Sequence, residues 1–236
     1  MASLGGMTMG ETRAVMPAND SVYYRDGANH AWALALLKKA RLAMFAHFMA
    51  ALRPTESTRI LDIGISDDEN EASNFIEKLY PWQHRITGAG LGSGEAVRRA
   101  FPQMTFVPIT PGERLPFPDR SFDIACSNAV LEHVGDAAAR RAFIAEHLRV
   151  ADRVFLTIPN RWFPVEHHTR LPLLHYHPRL FRRVIAGTRL DYWAHPANLD
   201  FLDAAQLRAE WPGRVEVLPT GLRLGRFSSN LAAIVG

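Results

Sequence analysis

Glu113 to Val134, ERLPFPDRSFDIACSNAVLEHV, is the stretch whose reading decides the fold. Leu115-Pro116-Phe117-Pro118 is a stiff apolar loop, because each proline fixes its own φ and biases the residue before it toward extended geometry. Ser121 to Ser127 is a short, mostly apolar run of strand length, with Asp119-Arg120 before it and polar Ser127-Asn128 at its end. That is the pattern of a buried parallel strand. Glu132 and His133 follow just past its carboxyl end, where open α/β sheets bind their ligands.

Working outward, Arg59–Gly64 (RILDIG) reads as a first strand, Arg85–Gly90 as a second and Met104–Ile109 as a third. Ser121–Ser127 is then the fourth and Arg153–Ile158 the fifth. Helical patterns over Glu69–Tyr80, Glu95–Ala100 and Asp136–Val150 separate them, which predicts a doubly wound, mostly parallel α/β sheet. Upstream, apolar residues from Trp32 to Leu52 recur every three to four positions, and Pro54 follows, so residues 28–52 form an amphipathic helix with a stop. Residues 1–27 read as a flexible start to a single domain spanning 28–236. After Pro159 the composition turns to aromatics, histidine and proline, which marks 160–202 as an insertion with one helix at Pro178–Ala186. Asp203 with Gln206 is a capping-box start for a helix running to about Glu210. Arg214–Leu218 and Leu231–Val235 close the sheet, the last as an antiparallel member.

The chain has 236 residues, 47% apolar and 22% charged, enough for one domain with a substantial core. The net charge of +3 is mild, and the basic residues are spread in pairs such as Arg98-Arg99 and Arg140-Arg141, which argues against a nucleic-acid footprint. Arginine outnumbers lysine 24 to 3, a bias that genomic base composition explains better than phosphate recognition does. The lone Cys126 excludes an intramolecular disulfide, suits a reducing compartment and sits mid-strand as a buried, inert thiol. No apolar run approaches the roughly 18 residues of a membrane span, and the start lacks a secretory signal. A cytoplasmic protein without stable membrane insertion is expected. Lys38, Lys39 and Arg41 allow a membrane-surface reading of the first helix, but packing over one end of the fold is favoured.

LPFPDxSFD followed by VLEHV resembles the fourth-strand region of class I S-adenosylmethionine (SAM) dependent methyltransferases, in particular the small-molecule "type 11" group. The resemblance covers about residues 58–236 and implies a Rossmann-like sheet, SAM as cofactor and methyl transfer to O, N or C of a small-molecule acceptor. It implies cofactor contacts from Asp62, Gly64, Ile65 and Ser66 at the turn after strand one, and from Gly90 and Leu91 at the end of strand two. Gly112 and Glu113 after strand three would face the adenine, and Asn128 the sulfonium. The chain departs from the family pattern in three places. Ser66 and Asp68 replace glycines of the turn, Gly90 stands where an acid would hold the ribose, and Pro111 stands where another acid is expected. Each lost hydrogen bond to a charged acceptor is worth about 1.5–3 kcal/mol, so two losses weaken SAM roughly a hundred- to ten-thousandfold. The alternative function is therefore a non-catalytic, methyltransferase-like binding protein. Asp67, Asp68 and Glu69 offer carboxylates for the cofactor's ammonium, or simply a favourable helix start. On this reading Gly90→Asp would restore ribose binding, and Gly64→Val would fill the cofactor's space.

On the acceptor side the catalytic candidates are His133 and His167. In ubiquinone-type O-methyltransferases a similar LEH belongs to a metal-assisted site with a further acid three residues earlier. That position is Ala129 here, and no H-E-x-x-H or Cys/His pattern is present, so no metal is expected. Capping and packing are the competing role for Glu132 and His133. The insertion, with Trp162 and Phe163, reads as a substrate lid or as a flap that completes the core. Nothing in the sequence bears on oligomeric state.

Overall fold

The computed structural model describes residues 30–67 and 73–236. The expected flexible start at 1–27, and Asp68 and Glu69 of the acidic trio, lie outside these residues. Seven strands form one sheet: β1 (Ile60–Ile65), β2 (Ile86–Gly90), β3 (Thr105–Pro108), β4 (Phe122–Asn128), β5 (Ala151–Pro159), β6 (Glu216–Leu224) and β7 (Phe227–Val235). Their order is β3-β2-β1-β4-β5-β7-β6. The first five are parallel, and β7 runs antiparallel to both β5 and β6. As the sequence predicts, β4 lies beside β1, with Asp62 level with Cys126. The carboxyl ends of the parallel strands therefore open on one side, with the order reversing between β1 and β4.

Around the sheet lie α1 (His30–Leu52), α2 (Phe75–Leu79), α3 (Glu95–Ala100), α4 (Ala137–Val150), α5 (Pro178–Ile185) and α6 (Ala204–Ala209). The spacing Ala40, Met44, Phe48, Leu52 becomes a buried stripe of α1 that packs with Ile60, Phe155 and Ile234. Leu52 ends that helix with its carbonyl held by Arg153. The apolar loop before β4 is clamped to α4: Arg149 donates to the carbonyls of Leu115 and Phe117, while Glu146 accepts from the Leu115 N–H. The Asp203–Gln206 capping box forms as read. Cys126 is buried, its thiol directed at the Leu61 carbonyl, and burial pushes its pKa well up.

Three boundaries differ from the sequence reading. β1 does not stop at Gly64 but continues through a bulge to Ile65, which pairs with Gly90. α2 starts only at Phe75, because Asn74 adopts a left-handed conformation (φ 53°) and its amide grips the N–H and C=O of Ser66. The final hairpin is longer than expected, since Gly221 (φ 76°) lets β6 bulge past Ser229 and resume pairing.

The insertion has a small core of its own, Phe181, Ile185, Trp193, Leu199 and Phe201. Arg140 of α4 fastens it down. Its buried guanidinium donates to both oxygens of Glu210 (2.6–2.9 Å), to Asp200 (2.9 Å) and to the Gly135 carbonyl (2.7 Å). Such a pair is costly to break from one side, because the partner carboxylate would stay buried without a counter-charge.

Candidate active site

A cleft of about 2720 Å³ runs along the carboxyl ends of the parallel strands. One end is walled by the turn after β1, by Gly90–Gly92 and by Ile109–Leu115; the other is walled by Asn128–Val130, His133–Gly135 and the insertion. Asp62, Gly64, Ile65, Ser66, Gly90, Leu91, Gly112, Glu113, Asn128, His133 and His167 all line it. The sequence-predicted residues thus share one cleft, although they occupy its two ends.

At the β1–β2 end the departures have steric reasons. A Cβ at Gly90 would collide with the Ile65 carbonyl oxygen, because the bulged end of β1 crosses directly over it. Gly90 is therefore a packing glycine, and no acid fits there; the expectation that Gly90→Asp restores a ribose contact is overturned. At Gly64 (φ 95°) a Cβ would strike Val130, so the space beside that glycine is filled by a side chain and is not open to a cofactor. Asp67 is likewise committed, accepting from the backbone N–H groups of Gly94 (2.7 Å), Ala96 (2.9 Å) and Val97 (3.2 Å) at the start of α3. Beneath the turn, Asp62 and Glu77 are both buried, and burial raises both carboxyls, Asp62 to about 6 and Glu77 well above its ordinary value. Neither Glu77 oxygen has a hydrogen-bond partner, so burial keeps that carboxyl protonated.

Asn128 ends β4, and its side-chain oxygen accepts from Thr157 Oγ1 (2.8 Å) and from Arg41 of α1. This fixes the amide and puts a guanidinium into the middle of the cleft. Sequence reading placed Arg41 on a packing helix and missed this role.

At the far end, the 3₁₀ turn Leu131–His133 presents Glu132 and His133 to the insertion. The His133 Nδ1–H donates to the Asn198 carbonyl (2.6 Å), and its Nε2 lies 3.2 Å from Nε2 of His168. The other nitrogen of His168 is 2.8 Å from Glu166. Both rings pack against the buried Trp193. Burial works against a charge on His168, but Glu166 and then Glu132 outweigh it and hold the imidazole above its ordinary pKa. Burial would raise Glu166 too, yet the His168 charge and its hydrogen bonds hold it well below the carboxylate range. Burial, then His168, push His133 down to about 3. Glu132 is raised to about 7 by burial, and neither of its oxygens has a hydrogen-bond partner. His168 thus carries the proton between the two rings. His167, the sequence candidate, is held neutral by burial at about 4, and its Nε2 is buried with no hydrogen-bond partner. It lines the cleft, but His168 is the residue that joins His133.

Glu132, His133 and His168 offer ligand atoms within 4.8 Å of one another, a group that could hold a metal ion and that sequence reading did not anticipate. On a tetrahedral metal with bonds of about 2.0–2.1 Å, neighbouring nitrogens lie about 3.3 Å apart, close to the spacing of the two Nε2 atoms. Their Nδ1 atoms are already engaged by a carbonyl and a carboxylate, as is usual behind metal-bound imidazoles.

The strand order and the antiparallel β7 decide the architecture. The fold is that of the class I methyltransferases. Residues 85–153 match the family model described as "Methyltransferase domain". A Thermotoga maritima SAM-dependent methyltransferase, described as a possible histamine N-methyltransferase, is similar with a TM-score of 0.57 and 15% identity, over 92% of this chain and 98% of that one. The complex between the Haloferax volcanii Trm112 methyltransferase activator and a putative methyltransferase gives 0.57 and 14%, over 89% and 97%. The methyltransferase domain of a bacterial Hen1 gives 0.52 and 15%, over 84% and 98%. No curated protein matches the sequence. Among the described residues no helix is long and apolar enough to cross a membrane.

Against this methyltransferase fold, the cleft suits two parts of SAM and not the third by the usual means. Arg41 and the Asn128 amide could supply cationic and donor groups for a methionine carboxylate. Leu91, Ile109 and Leu115 give an apolar wall for adenine. The ribose finds no carboxylate at the end of β2.

Proposed function

We propose that the protein is a SAM-dependent methyltransferase acting on a small-molecule acceptor. The single observation that carries this reading is the continuous cleft, which joins the strand ends of the cofactor half to His133 and to His168 of the insertion, with Glu132 buried beside them. Bound SAM would supply a methyl group on a sulfonium, open to in-line attack. Arg41 and Asn128 would hold its methionine end; Leu91, Gly112 and Glu113 would border the adenosine, and Ile65 and Ser66 would shape the turn beneath it. Asp62, raised only to about 6, would carry its charge there at neutral pH.

Methyl transfer from a sulfonium needs alignment, exclusion of water and, for O or N acceptors, removal of a proton. Glu132, raised to about 7, lies behind the cleft wall with Oε1 3.8 Å from His133 Nε2, and would take that proton by relay through His133. His133 is uncharged, with Nδ1 tied to the Asn198 carbonyl and Nε2 facing His168, so it would orient an attacking group where that group displaces the His168 contact. Phe163 and His167 would close the apolar side of the acceptor. His133→Ala should then lower label transfer from methyl-labelled SAM to small molecules by about a hundredfold or more, with SAM affinity within a few-fold. Unchanged transfer in the folded variant would remove His133 from the site, and label entering only protein or RNA would remove the small-molecule acceptor.

The same three side chains favour a second reading of that end, a divalent cation held by Glu132, His133 and His168 with Glu166 behind His168. It would replace the proton between the imidazoles and give the two oxygens of Glu132 a partner.

A further inference from the structure

The insertion carries an exposed surface around α5 that borders the cleft, where Val165 and Arg170 line it; Arg182 is turned to Asp200. Between His167 and Leu190 the sequence has five arginines and no aspartate or glutamate. Of the nine large apolar side chains exposed among the described residues, five lie within 162–184: Trp162, Val165, Leu173, Leu180 and Val184. Single exposed apolar residues need no explanation, but a cluster does.

α5 shows how the surface is made. Phe181 and Ile185 face the insertion's own core. The outer face repeats an arginine beside an aliphatic one turn apart, Arg179-Leu180 and then Arg183-Val184, with Leu180 48% and Val184 51% exposed. Leu173 is 54% exposed and is held in a left-handed conformation (φ 57°), an unusual place for a leucine. Arg170 and Pro172, just before it, line the cleft.

We infer that the insertion docks on an anionic lipid surface, with α5 lying along the headgroups and Leu173, Leu180 and Val184 entering the acyl boundary. Aliphatic and cationic side chains alternating on one exposed helix face fit an interface that is anionic outside and apolar just beneath. A nucleic acid or acidic protein would use the arginines and leave the aliphatics idle. Docking of this kind differs from membrane insertion, and it would bring the cleft wall at Arg170 and Pro172 to the lipid. If the proposed methyl transfer holds, its acceptor would then be an amphiphile presented at that surface.

The test is co-sedimentation of the full chain, without SAM, with phosphatidylcholine vesicles and with phosphatidylcholine–phosphatidylglycerol vesicles. Binding to the anionic vesicles alone is expected, weakening as salt is raised. Each arginine near such a surface strengthens binding about fivefold, so Arg179→Glu with Arg183→Glu should weaken it on the order of thirtyfold or more. Leu180→Ser with Val184→Ser should cost about tenfold or more, with an unchanged melting temperature because both positions are exposed. Equal partitioning to neutral vesicles, no partitioning, or full binding by the serine variant would overturn the inference. So would retention on heparin or RNA without vesicle binding, which would point to a polyanion partner. Because SAM is left out, none of these outcomes bears on methyl transfer.

Discussion

Gly90→Asp is expected to destabilise the protein by about 3 kcal/mol or more, and to leave SAM binding no tighter. The family pattern argues the opposite, since an acid at this position would hold the ribose. The structure reverses the sign. The carbonyl oxygen of Ile65 occupies the place of the Cβ, with the Ile65 side chain and Phe106 close on other sides. That oxygen belongs to backbone, fixed by pairing on both strands, so the strand end must move. A carboxylate pressed beside a carbonyl adds unfavourable electrostatics to the overlap. For a chain of this size the loss corresponds to a melting temperature lower by roughly 6–12 °C. Gly90→Ala, which has the same Cβ and no charge, should reproduce much of it. A melting temperature like the wild type's in both variants would show that β1 does not press on β2 as described.

The second large effect concerns Glu132. Its folded pKa, about 7, is raised above the usual 4.5, chiefly by burial. A carboxyl raised in this way contributes its full stability below pH 4.5 and loses it as pH rises toward 7. With 2% of the residue exposed, the ionised form costs about 3 kcal/mol at neutral pH. His133, lowered to about 3, has the opposite slope between pH 3 and 6.5, so the wild-type curve alone does not isolate Glu132. The difference curve does. Glu132→Gln should melt close to wild type at pH 4.5 in the presence of a chelator, and several degrees higher at pH 7.5. If a divalent cation occupies the cluster, adding Zn²⁺ or Mn²⁺ should stabilise wild type and remove the variant's advantage. A variant less stable than wild type across the whole range with chelator present would contradict the buried, unpartnered carboxyl.

Most of the fold was legible because its signals are local. The strand Ser121–Ser127, the start of α4 at Asp136 and the Asp203–Gln206 box each rest on residues within a few positions of one another. The site was legible only in part. Glu132 and His133 could be placed because they follow β4 directly. Arg41 could not, since its guanidinium meets Asn128 across 87 positions of chain. Choosing between His167 and His168 depended on a turn. Glu166 accepts from the backbone N–H groups of His168 and Thr169, which folds the His168 ring back onto it and toward His133. The sequence Glu-His-His shows both candidates and not the turn. Gly90 is the clearest case, because a missing acid and a required glycine look the same until the backbone above it is seen.

The proposed function requires that this fold bind SAM although no acid stands at the end of β2. Calorimetric titration of the chain with SAM tests it most directly. The account predicts one site per chain with a dissociation constant below millimolar, weakened about tenfold or more by Arg41→Ala through loss of a charge-assisted contact. A folded wild-type protein that releases no heat with SAM at millimolar concentration would contradict it and leave a methyltransferase fold used for binding something else.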